Sequence, residues 1–323
     1  MTSDTKLPRR RLGASGLEAG AIGLGCMGMT WAYTSGERDD DRSVRVIHRA
    51  LELGMDLIDT ADMYGPFTNE EVVGRALAGR RDRAVLATKV GIVVEDAETF
   101  RLGRDGSPAH VREGIDASLR RLGVDHVDLY QLHRVDEQVP VEETWGAMAE
   151  VVAAGKARAI GMSEASVDEL ARAHAIHPVA SVQSELSLWT RDRLEDVLPW
   201  CREHDAAFIP FAPLGRGYLT GTITADSFDD SDFRARNPRF TREALSANLA
   251  IVDRVRGVAE RHGATAAQVA LAWVLAQDEL IVPIPGTTKV ERVEENAGAA
   301  TLALTPEDLA ELDGAPAAVG ARY

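Results

Sequence analysis

Four ionisable side chains stand at or just beyond the ends of successive short apolar runs in this sequence. Asp59 closes Met55-Asp-Leu-Ile58, and Tyr64 follows five residues later in Thr60-Ala-Asp-Met-Tyr-Gly65. Lys89 ends the run Ala84–Thr88, and His133 ends Val127–Leu132. Each alone has a plain structural use, as a helix cap or a solvated strand end. Together their chemistry is complementary. A phenol ionises near pH 10 and is a poor acid at neutral pH. A neighbouring ammonium favours the phenolate and lowers that pKa, so Lys89 is expected to tune Tyr64. Asp59 would hold Lys89 charged and in place within a partly buried mouth. His133 would hydrogen-bond a substrate oxygen and orient it. The set offers a proton to a developing alkoxide, as carbonyl reduction by hydride requires. The hydride must come from a cofactor, because no side chain supplies one.

Other motifs carry less. Gly23-Leu-Gly-Cys-Met-Gly28 fits G-x-G-x-x-G after an apolar run. A dinucleotide fingerprint needs a helix to open at once so that its N-terminus meets the pyrophosphate. Here Thr30–Asp41 intervenes, so a Gly-rich turn ending a first barrel strand, where backbone passes close to something, is the better reading. An NAD-dependent Rossmann dehydrogenase is correspondingly the weakest functional reading. Gly161-Met-Ser163-Glu-Ala165 lacks the final Gly of a nucleophile elbow, which argues against a serine hydrolase. His174 and His177 precede Pro178 with no third ligand nearby, and read as capping or surface histidines; no metal site is expected. The acidic patch Glu37–Asp41 reads as a solvated turn, with Asp41 or Ser43 near the first helix N-cap.

The four residues need a scaffold that brings strand ends together. Eight short apolar runs recur: Ala21–Leu24, Asp56–Ile58, Ala84–Ala87, Val127–Leu132, Ala157–Ile160, Val179–Val182, Ala207–Phe211 and Leu280–Val282. Between them lie stretches with apolar residues at helical spacing, such as Val44, Ile47, Ala50 and Leu51, or Val111, Ile115, Leu119 and Leu122. Gly54, Gly79, Gly123, Gly155 and Gly263 each stand just past such a stretch, as helix stops. Runs apolar almost throughout suit parallel strands covered on both faces. The pattern predicts one (β/α)8 TIM barrel over residues 1–323, in which strand ends converge on the C-terminal mouth. An open doubly wound sheet uses the same alternation and is the competing architecture. A loose tail over residues 1–8 and a short N-terminal β-hairpin around Gly13–Gly16 should precede the barrel. Two long connections, Gly91–Pro108 and Ala212–Thr241, should be loops at the mouth.

Composition narrows the classes. The chain has 323 residues, 45% apolar and 27% charged, which suits a globular protein with a large core. Against 36 Lys and Arg stand 51 Asp and Glu, a formal charge of -15. So acidic a chain is a poor general binder of nucleic acid or of an anionic membrane. Cys26 and Cys201 are the only cysteines and make no disulfide framework, so a reducing cytoplasm is expected. No secretory signal is visible before Arg11, and no apolar run is long enough to span a membrane.

Several segments, in order along nearly the whole chain, resemble the aldo-keto reductases. They are Gly23–Gly28, Asp56-Leu-Ile-Asp-Thr-Ala-Asp-Met-Tyr-Gly65, Thr88-Lys89, Asp128-Leu-Tyr-Gln-Leu-His133, Gly155–Ser163, Phe211-Ala-Pro-Leu-Gly-Arg-Gly217 and Ile284-Pro-Gly-Thr-Thr-Lys289. The resemblance implies a TIM barrel and an NADPH-dependent reductase of aldehydes or ketones. It implies Tyr64 as general acid, Lys89 and Asp59 as its electrostatic tuners, and His133 as the orienting donor. It places Met27 and Asp59 at the cofactor, Ser163 and Gln183 on the nicotinamide carboxamide, and Phe211 stacked on the ring. Pro213, Leu214, Gly215 and Gly217 resemble the loop along the pyrophosphate. Thr287, Thr288, Lys289 and Arg292 resemble the pocket for the 2′-phosphate, with Glu295 and Asn296 near the adenine. Hydroxyls and cations at a helix start suit a dianion on physical grounds as well. Trp31, Met63 and the loop 91–108 would shape an apolar pocket for a small carbonyl substrate. Glu164 stands where many relatives have Asn, and Cys26 where Thr is frequent. Some relatives are regulatory subunits, so a nucleotide-sensing protein with vestigial catalysis is the competing function.

Overall fold

The computed structural model describes residues 7–31, 33, 38–97, 99, 101–224, 227–228 and 232–322. Most of the expected N-terminal tail, and Glu37 of the acidic patch, lie outside the described residues. Strands β1 (Arg9–Arg11) and β2 (Glu18–Gly20) form the expected antiparallel hairpin, with Arg9 opposite Gly20. Arg10 fastens it, donating to the carbonyls of Ile281, Asp278 and Leu275 at 2.5, 2.9 and 3.0 Å.

The barrel strands are β3 (Leu24–Gly25), β4 (Leu57–Asp59), β5 (Val85–Val90), β8 (Val127–Leu132), β9 (Ala157–Ser163), β10 (Ser181–Glu185) and β11 (Ala207–Phe211). They pair in parallel in the order β3-β4-β5-β8-β9-β10-β11. Strands β6 (Ile92–Asp96) and β7 (Arg101–Arg104) form a separate antiparallel hairpin inside the connection expected as a loop, 91–108. Seven of the eight expected runs thus carry a regular strand, with ends shifted by up to three residues.

The eighth run closes the barrel without forming a regular strand. Residues 280–286 lie between β11 and β3. On one side Val282 and Ile284 donate to the carbonyls of Phe208 and Pro210, at 2.9 and 3.0 Å. On the other, Gly23 and Gly25 donate to Pro283 and Pro285, at 2.9 and 3.3 Å. The two prolines have no N–H to return, so the ladder to β3 runs in one direction only, whereas on the β11 side Phe208 N also donates to Leu280 O at 2.9 Å. The open doubly wound sheet is thereby excluded.

Helices α1 (Asp40–Leu53), α2 (Thr68–Leu77), α3 (Pro108–Leu122), α4 (Val141–Ala153), α5 (Val167–His174), α6 (Val197–Glu203), α7 (Arg242–His262), α8 (Ala266–Ala276), α9 (Val290–Gly298) and α10 (Pro306–Asp313) complete the chain. The α1 cap is Asp39, whose side chain accepts from Arg42 N at 2.8 Å; neither Asp41 nor Ser43 fills that position. Gly54, Gly123 and Gly263 end α1, α3 and α7 as left-handed caps, while Gly79 and Gly155 stand one residue beyond theirs.

Two cores result. Inside the barrel, Leu57, Ala87, Leu129, Ala159, Ala207, Ile209, Val282 and Ile284 pack with Leu12, Leu17 and Ala19 of the hairpin, which plugs the bottom. The larger core lies between strands and helices, around Trp145 and Trp273. A filled interior leaves the C-terminal strand ends as the place where polar side chains can meet.

Candidate active site

Asp59, Lys89 and His133 stand at the ends of β4, β5 and β8, and Tyr64 lies on the turn after β4. A buried Asn69 shapes that turn. Its Nδ2 donates to Cys26 O and Thr30 Oγ1, both at 2.9 Å, and its Oδ1 accepts from Thr60 Oγ1 at 2.6 Å. Tyr64 is thereby carried back over β5. Lys89 is wholly buried, and its Nζ donates to Asp59 Oδ1 at 2.5 Å, Thr60 O at 2.8 Å and Tyr64 Oη at 3.4 Å. Its three donors are therefore used, and the charge is paired rather than stranded. The His133 ring stands edge-on to Tyr64, with centroids 5.7 Å apart, and its Nδ1 is buried without a hydrogen-bond partner. The four side chains expected together are together.

Their protonation follows from this packing. Burial works against the charge on Lys89, but the charges of Asp59 and Tyr64 and the hydrogen bonds to them outweigh it and raise the pKa above its usual value. Burial, then Lys89 and Arg134, hold the His133 imidazole far below its usual pKa, so it is neutral. The expectation for Tyr64 needs correction. Lys89 does pull its pKa down, but burial of the phenol is the larger effect and the net shift is upward. A closed hydrophobic mouth penalises phenolate more than one ammonium rewards it. The resting group is therefore a protonated phenol.

Around this centre, Gln183 Nε2 donates to Asp59 Oδ2 at 2.8 Å and Gln131 Nε2 to the same oxygen at 3.3 Å. Ser163 Oγ accepts from Arg134 Nη1 at 3.0 Å. Trp31, Met63, Ala61 and Tyr64 form one small apolar cluster, with Met27 of the first loop and Ile92 and Val94 of the β6 hairpin packed on it. Phe211, at the end of β11, is half-buried. Pro213 and Gly215 are buried beyond it, and Leu214 and Gly217 half-buried. The amides of Gly215 and Gly217 close turns onto Ala212 and Leu214 at 2.9 and 3.0 Å, so they are already used within the loop. Thr287 and Thr288 are half-buried and Lys289 exposed before α9; within it Arg292 is exposed and pairs with Glu295, and Asn296 is buried. His174 Nδ1 accepts from Val179 N at 3.2 Å, an end-of-helix bond.

Glu164 has an assigned role in the structure. Its Oε1 accepts from Glu185 N at 3.0 Å and its Oε2 pairs with Arg322. Arg322 reaches Glu185 Oε2 at 3.3 Å, as does Arg216 of the Gly-rich loop. Asn237 Nδ2 and Arg216 Nη1 donate to Arg322 O at 2.9 and 3.3 Å. The C-terminal segment is thus tied into the mouth between β9, β10 and the loop after β11. Glu164, Ala212 and Arg216 hold positive φ of 56°, 48° and 56°, strain concentrated at strand ends on the mouth side.

Ile92 and Val94 belong to the connection 91–108 expected to line the pocket; sequence reasoning missed Arg134, Gln131 and the Arg322 bridge. Gln131 lies within and Arg134 just after the motif that gave His133, and their strand-end position was the available signal. Arg322 left none, because its partners lie 85 or more residues away. Among the described residues, no cluster of His, Cys, Asp and Glu could hold a metal, and no helix is long and apolar enough to cross a membrane.

A sequence model of the Aldo/keto reductase family matches residues 21–316. A probable aldo-keto reductase from Glycine max is 44% identical over 303 residues, covering 94% of this chain and 87% of that protein. A glycerol dehydrogenase from Gluconobacter oxydans superposes with a TM-score of 0.86 at 34% identity, over 97% of this chain and 95% of its own. An aldo-keto reductase from Klebsiella pneumoniae, solved in complex with NADPH, superposes with a TM-score of 0.74 at 29% identity, over 96% and 94%. With a closing parallel barrel and a lysine held between a carboxylate and a phenol at its mouth, this chain belongs to the aldo/keto reductase family.

Proposed function

We propose that the protein is an NADPH-dependent oxidoreductase that reduces an aldehyde or ketone to an alcohol, with Tyr64 as general acid. One observation carries the reading: buried Lys89 joins Asp59 to the Tyr64 hydroxyl in a mouth where the phenol stays protonated. The residues present suit the cofactor. Phe211 offers a half-buried face for stacking, Ser163 and Gln183 offer polar groups on adjoining strands, and Lys289 and Arg292 offer exposed cations for a phosphate. Bound NADPH supplies a hydride to the carbonyl carbon. The protein's own part is to fix the carbonyl and deliver the proton. Neutral His133 donates a hydrogen bond to the carbonyl oxygen and holds it near Tyr64. As that oxygen gains electrons, the Tyr64 hydroxyl gives it its proton. The phenolate left behind is stabilised by Lys89, whose ammonium lies 3.4 Å away. Asp59 keeps that ammonium in position. Trp31, Met63, Ile92 and Val94 exclude water and favour a substrate with an apolar substituent.

The test is to mix the protein with NADPH and an activated aromatic aldehyde such as nitrobenzaldehyde and follow loss of the reduced cofactor's absorbance. Tyr64→Phe should lower the rate by about a hundredfold or more while NADPH affinity stays within about twofold. An unchanged rate overturns Tyr64 as the acid. Tight NADPH binding with no turnover of any carbonyl tested would favour the sensing role.

A further inference from the structure

Arg134 follows His133 at the end of β8 and turns toward β9. Its Nη1 donates to His133 O at 2.6 Å and to Ser163 Oγ at 3.0 Å. A guanidinium carries donors only. Ser163 must therefore accept on that side, which turns its own hydrogen elsewhere. A matching constraint acts on β10. The Asp59 carboxylate, paired with Lys89 through Oδ1, accepts from Gln183 Nε2 through Oδ2. This network assigns the amide orientation, with the NH2 toward Asp59 and Oε1 away. The two strand ends then hold one defined donor, the Ser163 hydroxyl, and one defined acceptor, Gln183 Oε1. A primary carboxamide presents the reciprocal pair.

We propose that Arg134 is a positioning residue that fixes the polarity of the nicotinamide carboxamide grip, holding Ser163 as donor to the carboxamide oxygen while Asp59 holds Gln183 as acceptor for its NH2. The inference rests on the nicotinamide reading of the site. It carries a second consequence. A fixed guanidinium beside the carboxamide repels the cationic oxidised ring and not the neutral reduced one. Arg134 therefore biases the site toward NADPH over NADP+. Its charge also acts at the reaction centre: burial, then Lys89 and Arg134, lower the His133 pKa, and at Tyr64, where burial raises the pKa, Arg134 pulls weakly the other way after Lys89. Glu164, next in chain to Ser163, does not cancel it, because its carboxylate is engaged by Arg322 and Glu185 N.

The experiment measures dissociation constants of NADPH and NADP+, by quenching of tryptophan fluorescence, for wild type, Arg134→Met, Arg134→Lys, Ser163→Ala and the double variant that combines Arg134→Met with Ser163→Ala. Arg134→Met should weaken NADPH about tenfold, or about 1.4 kcal/mol. Ser163→Ala should cost a similar factor, and the double variant no more than either single one. The ratio of NADP+ to NADPH dissociation constants should fall several-fold in Arg134→Met and return in Arg134→Lys. A merely structural arginine would give additive losses and an unchanged ratio, and either result overturns the proposal. If the wild-type chain binds neither cofactor, the nicotinamide reading fails, and this inference with it. Binding by wild type with an additive cycle sinks only the role of Arg134.

Discussion

Asp62 stands two residues before Tyr64, buried, with Oδ1 unbonded. Burial, and then the nearby negative charge of Glu70, push its pKa up to about 8. In the unfolded chain an Asp ionises near pH 4. Between those values the folded chain keeps a proton that the unfolded chain has lost. Stability from this group is therefore full below about pH 4, falls as pH rises to about 8, and is flat above. Asp62→Asn removes the titration. Its stability relative to wild type should improve from pH 5 to pH 9, by about 1–3 kcal/mol at the upper end. Thermal unfolding at the two values checks this, and a difference independent of pH rejects it. Residue by residue, the sequence yields identity and neighbourhood. Asp59, Tyr64, Lys89 and His133 are legible because each marks a strand end or the turn just after one. The direction of the Tyr64 shift is not, because it depends on how completely the mouth closes over the ring, which Trp31 and the β6 hairpin decide from distant positions together with the neighbouring Met63.

At the scale of elements, barrel closure depends on backbone packed unusually close. A Cβ on Gly23 would lie 2.8 Å from Leu57 O and 3.0 Å from Ile284 Cγ2, with Leu57 Cβ between at 2.9 Å. On Gly25 it would lie 2.9 Å from Ile284 O. The Gly-rich turn reads from sequence as a place of close approach; the approach is to β4 on one side and the proline-bearing closing segment on the other. Gly23→Ala forces these apart at the seam where the barrel closes. It should cost about 2–3 kcal/mol in urea unfolding, as overpacking does. A loss below about 0.5 kcal/mol would show that the seam yields freely. The same seam explains where element prediction stops. Regular strands follow from apolar runs, but Pro283 and Pro285 remove the return bonds to β3 that would complete the closing segment as a strand. The β6–β7 hairpin escapes a sequence reading because Val93-Val94-Glu95-Asp96 carries no clean alternation, and a bulge between Val94 and Asp96 breaks its register.

For the molecule as a whole, a charge of -15 sets a field that disfavours every anionic ligand. An NADPH site must overcome it locally, and the candidate cations before and within α9 differ in how much charge they can spare. Arg292 is paired with Glu295, whereas Lys289 makes no ion pair among the described residues. A 2′-phosphate would compete with Glu295 for the first and meet the second directly. Lys289→Ala should therefore weaken NADPH about tenfold and Arg292→Ala about threefold, consistent with charge-assisted bonds of unequal cost. NADH, lacking that phosphate and its charge-assisted bonds, should stay within about twofold in both variants. Salt separates local from global effects. Screening over about 10 Å at 0.1 M relaxes the distant acidic field as well as the local pair. If the α9 cations dominate, added salt weakens NADPH and leaves NADH nearly unchanged. If the field of the whole chain dominates, salt strengthens both. Isothermal titration of each cofactor at two salt concentrations distinguishes these, and equal losses of NADPH and NADH in Lys289→Ala would remove α9 from the phosphate site.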